Sequence, residues 1–166
     1  MFQVCQRPEY TWFGSRTGLL QALIERSADN SAERVQAALD DTADPQTTLV
    51  GYATGLLMLL TGPGSVAINR AAMTSPDLAA LLLRSGRHRI GPVVEQYLAR
   101  LHDAGYLEIA DPAAAFQLLY GLVIEDRQIR VLLGEAPPTP ADAAAHAQTA
   151  VDRFLRLTKP YGDSVR

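Results

Sequence analysis

The amino-acid sequence predicts an all-α domain, on three observations. A capping residue is followed directly by proline four times, at Asp44-Pro45, Ser75-Pro76, Asp111-Pro112 and Thr139-Pro140. Proline at the first helical position gives up an N–H that has no partner there, and the preceding side chain accepts from the orphan donors behind it. Between these marks the apolar residues recur at three- and four-residue spacing, the period of a helix with one buried face. No run of four or more residues shows the alternation and β-branched enrichment of a half-buried strand.

Ser15 before Arg16 opens the first helix, residues 16 to about 41, with Leu19, Leu20, Leu23, Ile24, Val35, Ala38 and Leu39 on its apolar side. Asp29-Asn30-Ser31 is a weak point where this helix is expected to bend or break. Residues 45–61 are apolar nearly all round, the pattern of a central helix. The glycines of T-G-P-G-S at 61–65 then mark a helix-to-helix turn. After the helix opened by Ser75-Pro76, the stripe Ile90, Val93, Val94, Tyr97, Leu98 and Leu101 predicts another that ends at Gly105. Proline deep in a helix costs ~3 kcal/mol, so Pro92 implies a start near Ile90 or a kink there.

Residues 112–133 read as the longest uninterrupted helix, ~33 Å at about 1.5 Å per residue, stopped by Gly134 and the Pro137-Pro138 pair. The last helix, 140 to about 158, carries Ala143, Ala147, Ala150, Phe154 and Leu157 at spacings of four, three, four and three. Alanines on such a seven-residue repeat let a neighbouring helix approach closely, and the Phe and Leu supply buried area. The neighbour is a helix of a second copy or one of the same chain.

Bulk composition excludes several function classes. A chain of 166 residues with 48% apolar content is long enough for its own core, and a domain of this size buries roughly 70% of its unfolded surface. The formal charge of −3 argues against a chain-wide nucleic-acid surface, because phosphate binding rests on clustered Lys and Arg. Cys5 is alone, so no internal disulfide forms and the chain reads as belonging to a reducing compartment. The apolar run Leu49 to Leu60 has 12 residues, short of the ~20 that span a bilayer. The first 20 residues lack the clean apolar core of a signal peptide. The cytoplasm is the expected location, with no membrane partner.

No enzyme is expected. The sequence has no G-x-S-x-G, H-E-x-x-H, G-x-x-x-x-G-K-[ST] or dinucleotide fingerprint. His88, His102 and His146 are too scattered to share a helix face, and none pairs with Cys5 as metal ligands would, so neither metal nor cofactor is implied. Glu125-Asp126-Arg127 points in several directions on a helix and reads as a solvated or ion-paired patch. What remains is an apolar helical body with polar-tipped aromatics, the lining of a cavity for a mostly apolar ligand. Size, polar tips and helical phase select Tyr52, Leu56, Met73, Tyr97, Leu101, Phe116 and Tyr120 as candidate ligand-binding residues, with Met58 a further soft filler; ordinary core packing is the alternative for each.

Y-T-W-F-G-S-R-T-G-L-L at residues 10–20 resembles the junction in TetR-family regulators, of the form Y-x-x-F-x-S-K-x-x-L, that joins the DNA-recognition helix to the next. Tyr10, Phe13, Ser15 and Leu19 match, and Arg16 stands in place of the usual lysine. Gly105, Leu107, Asp111, Pro112, Ala114 and Ala115 echo the G-x-L-x-x-x-D-P-x-x-A-A pattern of the AefR-like branch of that family. The resemblance implies a multi-helix orthogonal bundle dimerising through its last two helices, with Leu119, Val123, Ala143, Ala147, Ala150, Phe154 and Leu157 at the interface. It also implies an effector pocket enclosed by the helices from 16 to 133, for an apolar or amphipathic small molecule.

On this reading, residues 1–15 are the remnant of a helix-turn-helix head and linker, 16–158 the ligand-binding and dimerisation domain, and 159–166 a tail. A reading head needs roughly 40 to 50 residues before Tyr10, since its second helix is braced on the first. Operator DNA is therefore a partner only when that head is present, with Tyr10 and Arg16 the candidate DNA-binding residues. The function implied is a homodimeric, ligand-responsive repressor. The alternative is a dimerising small-molecule-binding module without DNA recognition.

Overall fold

The computed structural model describes residues 16–39 and 44–159. They form α1 (Arg16–Leu39), α2 (Pro45–Thr61), α3 (Pro63–Ala72), α4 (Pro76–Ser85), α5 (Arg87–Asp103), α6 (Pro112–Ile124), α7 (Arg127–Leu132) and α8 (Pro140–Leu157), with no strand among the described residues. Each cap-proline pair opens a helix. Asp44 accepts from the Thr47 N–H at 3.1 Å, Ser75 from Leu78 at 3.5 Å, Asp111 from Ala113 at 2.9 Å and Thr139 from Asp142 at 3.2 Å. Gly62 separates α2 from α3, which bends away by 57°. No single described helix is long and apolar enough to cross a membrane.

α2 is the central element, packed on α1, α3, α6, α7 and α8. Leu49, Ala53 and Leu57 are fully buried on the side where α8 brings Ala143, Ala147, Ala150, Val151 and Phe154. α5 and α6 complete this main core with Val94, Tyr97, Leu98, Leu101, Phe116, Leu119 and Val123. A second, smaller cluster joins α1, α3 and α4 through Ile24, Ala72 and Leu78, with Leu20, Ile68 and Leu82 against it. Between α5 and α6, Gly105 adopts φ +74°, a conformation that a side chain disfavours. The turn lets Leu107 bury and the Glu108 N–H donate to the Thr158 carbonyl at 2.7 Å, tying this connector to the end of α8.

Three expectations are corrected. Residues 112–133 are not one helix, because Glu125 takes φ 47°, ψ −130° and divides α6 from α7; α1 is the longest helix. Such a conformation costs of order 1–3 kcal/mol for a residue with a side chain. It is held by Glu125 pairing with Arg127 at 3.5 Å and Arg153 at 3.9 Å, and by the His146 Nε2–H donating to the Val123 carbonyl at 2.9 Å. α1 runs unbroken through Asp29-Asn30-Ser31, since the Ser31 hydroxyl donates back to the Ser27 carbonyl and Asp29 pairs with Arg89 of α5. α5 begins at Arg87, three residues ahead of Ile90, and carries Pro92 within its first turns.

The third correction concerns the proposed seam between copies. Leu119, Val123, Ala143, Ala147, Ala150 and Phe154 are each at most 1% exposed within the single chain, so they offer no surface to a partner. The seven-residue repeat is the contact of α8 with its own α2 and α6. Only Leu157, 66% exposed, faces outward. An alanine stripe reports close helix approach and does not say whose helix approaches.

Removing the Phe154 ring leaves a void against α2. Phe154→Ala is expected to lower unfolding stability by about 3–5 kcal/mol, read as a shift of the urea midpoint. A loss below about 1 kcal/mol contradicts the packing described.

Candidate functional site

A cavity of about 370 Å³ lies where the two clusters meet. That volume is at the small end of the ~300–1,000 Å³ of small-molecule sites. Every helix but α8 contributes, most of them through several residues. α1 presents Ile24, Ser27, Ala28 and Ser31; α2 presents Tyr52, Leu56, Leu59 and Leu60; α3 presents Ser65, Ile68 and Asn69. α4 adds Leu82, Leu83 and Ser85, followed by Gly86; the first turns of α5 add Arg87, Ile90 and Gly91; α6 adds Phe116 and Tyr120, and α7 adds Gln128. The walls are therefore largely apolar, with a few polar tips.

Arg87, Tyr120 and Tyr52 carry most of the electrostatic structure of the lining. The Arg87 guanidinium lies over the rings of Tyr120 and Phe116, 4.6 and 5.7 Å from their centroids, and these rings meet edge to face at 6.0 Å. Cation–π contacts of this kind hold the guanidinium against the two rings although the arginine as a residue stays exposed to water. Phe116 reaches its place because residue 91 is glycine: a Cβ there would stand 3.2 Å from the Phe116 ring edge. The Tyr52 hydroxyl is buried and has no hydrogen-bond partner. Burial pushes its pKa far above the ordinary tyrosine range, so it stays protonated and able to donate. Burial also raises the Tyr120 hydroxyl, with Arg87 opposing the shift.

Of the residues selected from sequence, the structure brings Tyr52, Leu56, Phe116 and Tyr120 to this cavity. Met73, the residue capping α3, is 65% exposed and lies elsewhere. Tyr97 and Leu101 are buried in the main core, because α5 meets the cavity only through its first turns. Tyr10 lies outside the described residues, and Arg16 is described only as the first residue of α1. Among the described residues no cluster of three or more His, Cys, Asp or Glu could hold a metal. Arg87, Asn69 and Ile68 were not selected. Arg87 sits in R-S-G-R-H-R at 84–89, where three arginines and a histidine read as solvated surface.

α6 and α8 run antiparallel, joined near one end by Glu108 to Thr158 and near the other by His146 to Val123. Their outward sides carry Leu118, 39% exposed, half-buried Leu122, and Leu157.

Residues 47–159 match the family described as the AefR-like transcriptional repressor, C-terminal domain. The fold is similar to a TetR transcriptional regulator from Agrobacterium tumefaciens, at 33% identity and a TM-score of 0.71 over 92% of this chain and 76% of that one. A TetR-family transcriptional regulator from Mesorhizobium loti MAFF303099 superposes with a TM-score of 0.79 at 18% identity, over 91% and 79% of the two chains. The flavonoid-responsive regulator FrrA gives 0.74 at 24% identity, over 92% and 80%. No curated protein matches the sequence.

The fold accommodates the Tyr52 hydroxyl only while it is neutral. Stability is unaffected by this group below the ordinary tyrosine value of 10.0 and is lost as pH rises from there toward the raised folded value. Urea midpoints measured across that range are expected to fall, with this one group supplying about 1.4 kcal/mol per pH unit. Tyr52→Phe is expected to flatten the fall; an unchanged slope contradicts the burial of the hydroxyl.

Proposed function

The chain belongs to the TetR family of transcriptional regulators and carries its AefR-like C-terminal domain, and on that premise we propose that the cavity is the effector chamber of a homodimeric, ligand-responsive repressor. The observation that carries this reading is the position of the cavity between two separately packed clusters. A ligand there touches α1 and α4 on one side and α2 and α6 on the other, so it can change how the clusters sit against each other.

α1 is the lever. It lines the chamber with Ile24, Ser27, Ala28 and Ser31, and it starts at the junction that resembles the family's joint to the DNA-reading head. Ligand contacts that favour one placement of α1 over another bias the head, which is what coupling between two sites requires. DNA recognition belongs to a head ahead of α1. The flavonoid response named for the similar regulator FrrA supports a small organic effector.

The dimer face that fits this fold is the outward side of α6 and α8, with Leu118, Leu122 and Leu157, in place of the buried stripe. A double substitution Leu118→Glu and Leu157→Glu is expected to give folded monomers by light scattering, because the charges meet an apolar partner surface without entering the chain's own core. A persistent dimer rejects this face.

For the chamber, the neutral apolar fluorophore N-phenyl-1-naphthylamine is expected to bind the intact chain and to be excluded by Leu56→Trp, which fills the space. A loss of at least about tenfold in affinity, with the circular dichroism melt retained, is the expected result. Equal binding by both proteins places the probe outside the cavity and sinks the chamber.

A further inference from the structure

We infer that the effector is an uncharged, largely apolar molecule bearing a carbonyl group, held by a hydrogen bond that the Tyr52 hydroxyl donates to the carbonyl oxygen. This rests on the chamber proposed above and adds the chemistry of what enters it.

The polar groups of the lining divide into those already served and one left over. The Ser31 hydroxyl donates to the Ser27 carbonyl at 2.7 Å, and the Asn69 amide nitrogen donates to the Ser65 carbonyl at 2.9 Å, each within its own helix. Arg87 is exposed, rests on two rings and is hydrogen-bonded to the Tyr120 hydroxyl, so neither group makes a demand on a ligand. Ser65, Ser85 and Gln128 are only half-buried and Ser27 is exposed, which leaves them to water. Tyr52 differs from all of these, being 4% exposed with no partner for its hydroxyl. Among the described residues Thr48 and Arg127 also carry a buried, unpartnered side-chain atom, and neither of them lines the cavity.

A buried tyrosine hydroxyl ordinarily finds a hydrogen-bond partner, and a donor left without one is costly. A phenylalanine ring would pack at this place without that cost, so the hydroxyl is the one polar group of the lining that only a ligand can satisfy. A phenol is a good donor and, with its lone pairs drawn into the ring, a poor acceptor, so the ligand supplies the acceptor. A carbonyl oxygen does so without charge. Burial is the chief reason that this hydroxyl stays protonated, and the same shortage of water penalises an anion placed beside it. An ammonium group has no lone pair to offer. Since the oxygen is buried, the carbonyl reaches it by parting the side chains that cover it, and it gains a hydrogen bond that the protein alone does not make. Leu56, Ile68 and Ile90 suit an apolar remainder, and its size is bounded by about 370 Å³.

Displacement of N-phenyl-1-naphthylamine tests this on the full chain, because the reporter has no carbonyl and reads the cavity whatever the competitor. Two ketones, 4-phenylbutan-2-one and nonan-2-one, are each matched with the alkene that has a methylene in place of the carbonyl oxygen, and with the carboxylate of the same length, 3-phenylpropanoate or octanoate. Tyr52→Phe is expected to weaken at least one ketone by about tenfold or more while the alkenes and the reporter bind as before. In the native protein that ketone competes at least about tenfold more tightly than its carboxylate. Its carbonyl stretch, read by infrared difference spectroscopy, lies below the frequency found in hexane and returns toward it in Tyr52→Phe, a change that a merely structural role of the residue does not produce. Ketones that leave the reporter in place, that lose no more than the alkenes do, or that bind less well than the carboxylates overturn the carbonyl and leave the chamber standing. A reporter that fails to bind, or that ignores Leu56→Trp, overturns the chamber itself. If Tyr52→Phe does not fold, the stretch of the ketone bound to the native protein decides the matter, and an unshifted band overturns the assignment.

Discussion

Close approach of α8 to α2 is the constraint on which the rest of the structure depends. Alanine at 143, 147 and 150 removes everything beyond Cβ from one side of α8, and Phe154 fills the space where the helices diverge. Gln46 of α2 adds a hydrogen bond to Asp152 of α8 at 2.8 Å. With Leu49, Ala53 and Leu57 committed to that contact, the helical period turns Tyr52, Leu56 and Leu60 toward α1 and α3. The cavity wall thus adjoins the main core on the same helix, with Tyr52 belonging to both, and its rigidity is borrowed from there.

The opposite wall is built differently. α1, α3 and α4 bury a small set of side chains around Ile24, Ala72 and Leu78, and their link to α5 includes an exposed Asp29–Arg89 pair, an interaction that water and salt weaken. A firm wall facing a looser one is the arrangement in which a ligand's contacts are converted into movement rather than absorbed. α1 belongs to the looser side, which is where a signal to a DNA-reading head has to leave.

Helix boundaries were legible because capping is local. An aspartate, serine or threonine before proline meets its own backbone within three residues, and no distant contact is consulted. The break at Glu125 was not legible. The residue is neither glycine nor proline, and its positive φ is stabilised by Arg153 and His146, which arrive from α8. The Ala143–Phe154 stripe was legible as a close helix contact, while its partner depended on the fold of the whole chain. At the cavity, Tyr52, Leu56, Phe116 and Tyr120 were visible from size and helical phase. Tyr97 and Leu101 shared those properties and went to the core, since phase along α5 does not say which neighbour each turn meets. Arg87 was hidden by its charge. Its place at the cavity comes from two aromatic rings on α6, about thirty residues on.

The corner at Glu125 also determines how deep the compartment is. Were α6 to run straight through, Gln128 would leave the wall; the turn instead lays α7 beneath α2 and α3. Arg70 of α3 fastens it there, reaching the Leu132 and Val131 carbonyls at 3.0 and 3.2 Å. One residue gained or lost in that corner would swing the side chains of α7 by about 100°, exchanging the floor of the compartment without disturbing its walls. Loop length at this single bend is a means by which related proteins can diverge in what they admit while the scaffold stays the same.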